Sequence, residues 1–81
     1  MEKIKSISLI DLAVNDCATI LDLTIERMEV TRLASLGFTP GAVVNMTQNY
    51  GRGPLIVIVR GTRVALGRSE AAKIIVERRL E

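Results

Sequence analysis

The sequence contains no histidine and no tryptophan, and only one cysteine, one tyrosine and one phenylalanine among 81 residues. Without histidine there is no imidazole general base, no Ser-His-Asp triad, and none of the commonest transition-metal ligand. Cys17 alone closes no internal disulfide, which makes a reducing compartment the default, and one thiolate builds no structural zinc site. Asp11, Asp16 and Asp22 lack calcium-loop spacing. The glycine pair in Gly51-Arg52-Gly53-Pro54 lacks the lysine and the helix of a phosphate loop, so it reads as a turn. The expectation is a chain with no catalytic residues, no metal site and no cofactor. Long hydrophobic runs are also missing: the longest, Leu55 to Val59, is far short of a membrane span. Met1 to Ser6 alternates charge with isoleucine and lacks the apolar stretch of a signal peptide. A cytoplasmic protein is expected.

What the chain does have is aliphatic residues. The hydrophobic fraction is 48% and aromatics make up 2%, so the core must be built from branched and straight-chain aliphatics. The length suits one domain, residues 1–81, with no room for a second core. A net charge of +2, from 11 basic and 9 acidic residues, is too balanced to imply an electrostatic partner.

Ser8-Leu9-Ile10-Asp11 has the Ser-x-x-acid spacing of a helix start. Leu12 to Val14 allow only a short turn before Asn15-Asp16 breaks it. Cys17 to Ile25 reads as a strand, with Cys17, Thr19, Leu21, Leu23 and Ile25 on one face and Ala18, Ile20, Asp22 and Thr24 on the other. On such a strand a lone cysteine behaves as a small buried hydrophobe. From Glu26 to Leu36 the period becomes helical, with Ile25, Met28, Leu33 and Leu36 on one side. Arg32 falls near the middle of that face. There it either snorkels or pairs, with a carboxylate such as Glu29 or with helix-end carbonyls.

Leu36-Gly37-Phe38 reads as a helix C-terminus, with Gly37 in the left-handed conformation and Phe38 folded back on the last turn. Thr39-Pro40-Gly41-Ala42 fits a type II turn, proline setting the first central angle and glycine allowing the positive second one. Gly37, Pro40 and Gly41 are thus expected to form a structural corner between helix and strand. Beyond it lies a meander. Val44, Met46 and Tyr50 share one strand face, Gly51 to Pro54 form a loop, and Leu55 to Val59 form a second strand. Arg60-Gly61-Thr62-Arg63 matches a two-residue hairpin with Gly61 at the first central position. Val64 to Leu66 returns, Ser69-Glu70 starts a short helix, and Ile74 to Val76 closes. About five short strands with one real helix point to a small closed or nearly closed β-barrel.

Arg32-Leu33-x-x-Leu36-Gly37-Phe38-x-Pro40-Gly41 resembles the hallmark stretch of the FeoA family, ferrous iron transport protein A. Ser8-Leu9-x-Asp11-Leu12, Gly53-Pro54, Gly61, Val64-x-Leu66-Gly67 and Ala72-x-Ile74-x-Val76 follow in step, so the likeness runs from about Ser8 to Val76. One departure is that Asn15-Asp16 stands where the family usually has Pro-Gly. The resemblance implies a mainly β, SH3-like barrel with a helical insertion. It also implies a cytoplasmic accessory role for FeoB, the membrane transporter whose G-protein domain is coupled to Fe²⁺ uptake, and it offers no catalytic residues to carry over. Its own metal content is expected to be neither stoichiometric Fe²⁺ nor Zn²⁺, and its state a monomer or weak oligomer that is not membrane-inserted. The same fold occurs as the C-terminal barrel of iron-dependent repressors, and small barrels often bind nucleic acid. Nucleic-acid binding is disfavoured by the scarcity of stacking aromatics and of a basic stripe.

For a partner surface, the candidates are Tyr50, Arg52 and Pro54 in the loop and Arg60 and Arg63 beside the hairpin turn. Loop tips on a rigid barrel gather binding residues, and Tyr and Arg are favoured anchors. The competing reading is that Tyr50 caps the barrel and the arginines are simply solvated.

Overall fold

A computed structural model describes the backbone of residues 3–80 and the side chains of residues 5–78. Met1, Glu2 and Glu81, which the expected 1–81 domain includes, lie outside the described residues. The elements are strands β1 (Lys3–Ser8), β2 (Cys17–Leu23), β3 (Val43–Gln48), β4 (Leu55–Val59), β5 (Thr62–Leu66) and β6 (Ile74–Leu80), with helices α1 (Arg27–Ser35) and α2 (Arg68–Ala71). The six strands form one antiparallel sheet in the order β1-β6-β2-β3-β4-β5. The mainly β class therefore holds, with six strands rather than five, and hydrogen bonding does not close the sheet. β1, which the sequence does not announce, pairs with β6 from Lys3↔Leu80 to Ser8↔Ile75. The alternating charge and isoleucine of its N-terminal half needs a partner some seventy residues away before it becomes a strand.

The sheet curls around an aliphatic core that includes Ile20, Val44, Leu55, Val57, Leu66 and Ile74, each essentially inaccessible to solvent. A bulge at Leu21 interrupts the strict alternation expected from Cys17 to Ile25. Pairing with β6 runs Ile20↔Val76 and then skips to Asp22↔Ile75 and Leu23↔Ile74. An extra residue reverses the parity of side chains beyond it. Ala18 and Ile20 therefore point inward before the bulge, and Leu23 packs against the core after it. Cys17, one residue out of phase with Ala18 and Ile20, is exposed and not the small buried hydrophobe expected of a lone cysteine on a strand.

Ser8 caps the single 3₁₀ turn Leu9–Asp11 by accepting from Ile10 N at 3.4 Å. Its hydroxyl also donates to Ala72 O at 2.9 Å, which ties that turn to the end of α2. At Asn15-Asp16, Asn15 takes φ 75°, a value asparagine tolerates better than most residues.

Helix α1 presents a different face from the one its spacing suggests. Leu33 is its one fully buried residue, while Met28 is 85% exposed and Leu36 lies at the surface. Ile25 precedes the helix and Leu36 is its C-cap, so two of the four spaced apolar residues lie outside the regular turns that would align them. Arg32 sits on the exposed side and pairs with Glu70 of α2, not with Glu29.

Candidate partner-binding surface

The corner after α1 is built from local hydrogen bonds. Gly37 N donates to Ala34 O and Phe38 N to Leu33 O, both at 3.0 Å, the double bond of a Schellman ending. Gly37 has φ 105°. Ala42 N donates to Thr39 O at 3.0 Å across the Thr39–Ala42 turn, where Gly41 has φ 91°. Gly41 N then reaches Ile20 O and Ile20 N reaches Ala42 O, each at 2.8 Å, so the corner is sewn to β2.

The β4–β5 hairpin arrives beside it. Val59 pairs with Thr62, which makes Arg60 and Gly61 the central residues. Both have positive φ, 50° and 78°, the type I′ signature. The turn is thus one residue earlier than expected, with an arginine in a place usually given to asparagine or glycine. Interactions at the corner favour that conformation: Arg60 Nη2 donates to Thr39 Oγ1 at 2.9 Å, and a Cβ added to Gly37 would lie 3.3 Å from Arg60 Cδ. Arg60 crosses the helix ending and braces it.

Tyr50, Arg52 and Pro54 lie at the other end of β4. Tyr50 follows the end of β3 and is 76% exposed, so it does not share the inward face of Val44 and Met46. Pro54 and Arg60 are separated by the whole of β4, roughly 20 Å at the usual strand rise. Arg63 lies on β5 opposite Ile58, exposed. The five candidates are therefore not one patch. Tyr50, Arg52 and Pro54 form a loop tip, Arg60 belongs to the corner, and Arg63 lies on the sheet edge between them.

The loop has a fixed base that the sequence did not reveal. Asn49 Nδ2 donates to Ile10 O at 3.0 Å and Leu12 O at 3.1 Å, while its Oδ1 accepts from Gly51 N and from Arg68 Nη1, each at 3.2 Å. The side-chain amide thus makes four contacts, its ordinary capacity. Arg68 Nη1 also reaches Gly53 O at 3.5 Å. The bond to Gly51 N is an Asx turn, a local signal that an Asn two residues before a glycine could have given. Arg68 is far away in sequence and gives no such signal.

Among the described residues, the ion pairs are Arg32 with Glu70 and Arg78 with Asp16 Oδ2, the latter at 3.0 Å. No group of three or more acidic or cysteine side chains is placed to hold a metal ion among those residues. A shallow hollow of about 220 Å³ lies on the outer face of β2, β3 and β6, lined by Cys17, Thr19, Val43 and Glu77.

The FeoA domain model matches residues 7–78. No curated protein matches the chain. Among solved structures, an iron uptake regulatory protein (FeoA) is 28% identical, with a TM-score of 0.85 over 94% of this chain and all of the other. FeoA of Stenotrophomonas maltophilia, solved with zinc and put forward as a prokaryotic SH3 domain protein activating ferrous iron transport, is 33% identical; its TM-score is 0.73 over 84% of this chain and 86% of that one. A manganese-dependent transcriptional repressor shares the fold alone, at 18% identity and a TM-score of 0.83 over 94% of this chain and 43% of its own. With the family model spanning almost the whole chain and the FeoA structures superposing on the same curled sheet, this chain belongs to the FeoA family.

Proposed function

We propose that this protein is a cytoplasmic accessory of ferrous iron transport that works by docking on the cytoplasmic part of a FeoB-type transporter, without catalysing a reaction. The observation that carries this reading is the FeoA match over residues 7–78. The Asn49–Pro54 loop supports it: its base is held by Asn49 and Arg68, while Tyr50 and Arg52 project from it unspent. A fixed base lowers the ordering cost of binding, and an exposed Tyr-Arg pair offers contact area and charge to a partner. No helix among the described residues is long and apolar enough to cross a membrane, so contact with the transporter would come from a docked domain.

The test is co-purification of the tagged protein with the transporter's cytoplasmic part, alongside Fe²⁺ uptake in cells. Tyr50→Ala and Arg52→Ala should each weaken association and uptake. If both variants associate and support uptake like the parent, the loop is a connector and the contact lies elsewhere, for example on the exposed side of α1. If the parent itself fails to bind, the docking reading falls.

A further inference from the structure

We propose that the β3–β5 half of the sheet takes an acidic, extended polypeptide segment along the open edge of β5. The proposal rests on the transporter reading and deepens it by naming the chemistry of the segment docked.

The first support is charge segregation that the net value conceals. Residues 30–69 contain five arginines, no lysine and no acidic residue, while every aspartate and glutamate lies before or after them. That stretch carries +5 and the remainder −3. Folding keeps part of the segregation: Arg52, Arg60 and Arg63 lie within residues 43–66, which form the contiguous strands β3, β4 and β5 at one side of the sheet with no acidic residue among them, while Arg32 and Arg68 belong to α1 and α2. Acidic Asp22 and Glu77 belong to β2 and β6.

The second support is how those arginines are used. Arg32 pairs with Glu70, Arg60 donates to Thr39, and Arg68 donates to Asn49 and Gly53. Arg52 and Arg63 are exposed and make no ion pair or side-chain hydrogen bond among the described residues. Guanidinium groups take carboxylates in bidentate fashion, a geometry lysine lacks.

The third support is the edge. β5 pairs with β4 alone, so its other side offers backbone donors and acceptors to an added strand. On the outer face Arg63 lies opposite Ile58 and Ala65 opposite Ile56, the two isoleucines being half-buried. A strand added to β5 alternates its side chains, so one set falls on that outer face beside Arg63 and the apolar floor. Carboxylates alternating with aliphatics are the complementary pattern. The opposite edge, β1, differs in carrying mixed charge: Lys5 lies opposite Arg78, which pairs with Asp16, and Ser6 lies opposite Glu77. An anionic lipid surface would have no use for an open strand edge. A nucleic acid would find one exposed aromatic, Tyr50, for stacking among the described residues.

The experiment titrates the full chain into a fluorescein-labelled alternating Glu-Val peptide, with a Gln-Val peptide, phosphatidylglycerol vesicles and a single-stranded oligonucleotide in parallel. The Glu-Val peptide should bind at least about tenfold tighter than Gln-Val, and Arg63→Gln and Arg52→Gln should each weaken it by about tenfold. Lys73→Gln, which removes the same charge outside this half, should change it less than about twofold. Amide shifts in the ¹H–¹⁵N spectrum should concentrate in Thr62 to Leu66. Equal loss in Lys73→Gln, absence of shifts on β5, or preferential binding of vesicles or oligonucleotide through Arg52 and Arg63 would overturn the proposal. In the transporter arm, Arg63→Gln should lose the transporter's cytoplasmic part together with the peptide. Should the transporter bind parent and Arg63→Gln alike, the β5 assignment falls while the docking reading stands. Should the peptide bind as described and the transporter not bind the parent, the docking reading falls and the acidic-segment face remains.

Discussion

Phe38 and Tyr50, the sole aromatics, sit near opposite ends of β4 and behave in opposite ways. Phe38 is 1% exposed and closes the corner after α1; Tyr50 is 76% exposed on the loop beyond β3. At the corner, glycine conformation, backbone hydrogen bonds and the Arg60 side chain are all spent on the fold. At the loop only the base is spent, through Asn49 and Arg68, and the tip is left free. The difference separates a joint from a site: groups that satisfy one another stabilise, while groups held in place without partners are available to a second molecule.

The largest expected effect tests how the corner end is held. Leu33 is the one fully buried residue of α1, so Leu33→Ala should cost about 2–5 kcal/mol. A core of this size supplies only about 3–5 kcal/mol, and a large unfolded fraction should appear in thermal or urea melts. Leu36→Ala and Met28→Ala, at surface positions, should cost under about 1 kcal/mol. Equal melts for Leu33→Ala and Leu36→Ala would mean that the helix packs through the wider face its spacing implied.

Next comes the base of the loop. Asn49→Ala removes two donors to Ile10 O and Leu12 O and the acceptor of Arg68, for a cost of about 1–3 kcal/mol. Because the tip loses its anchor, transporter association should fall as well. A variant that melts lower yet binds unchanged would show that the base fixes the fold and not the tip.

At the corner, Gly37→Ala forces an L side chain to φ 105° and brings its Cβ to 3.3 Å from Arg60 Cδ. The conformational strain costs roughly 1–2 kcal/mol. In an Arg60→Ala background the steric part should vanish and the penalty of Gly37→Ala shrink, a coupling that a double-mutant cycle of melts measures. At Gly51 and Gly53 an added Cβ meets nothing within 4 Å, so alanine there should carry the conformational cost alone.

These regions also differ in how legible they were. The corner could be read residue by residue, because Gly37, Pro40 and Gly41 act on backbone within a few positions of themselves. β3, β4 and β5 followed from alternation and turn residues in the same way. What escaped was non-local or parity-dependent. β1 exists only through β6. The Leu21 bulge reverses the parity beyond it, so Leu23 packs against the same core as Ala18 and Ile20, while Cys17, which alternates with Ala18, is exposed. The hairpin turn slipped by one because Arg60 adopts a positive φ that its residue type does not advertise. Tyr50, Arg52 and Pro54 could be proposed from loop chemistry, but Asn49 and Arg68 meet across nineteen positions. The charge segregation was present in linear order and was hidden by summing it.

The smallest expected effect is the most discriminating. Tyr50→Ala and Arg52→Ala remove exposed side chains that make no hydrogen bond within the described residues, so each should shift stability by no more than about 0.5 kcal/mol. Thermal melts of the two variants should overlay the parent while association with the transporter declines, a separation that Leu33→Ala, Asn49→Ala and Gly37→Ala cannot give. If Tyr50→Ala instead lowers the melting temperature as Asn49→Ala does, the ring is packing against the end of the sheet. The loop would then be a second joint of the same kind as the Phe38 corner, with its aromatic spent on the fold. Partner contact would have to be carried by Arg52, Arg63 and the β5 edge.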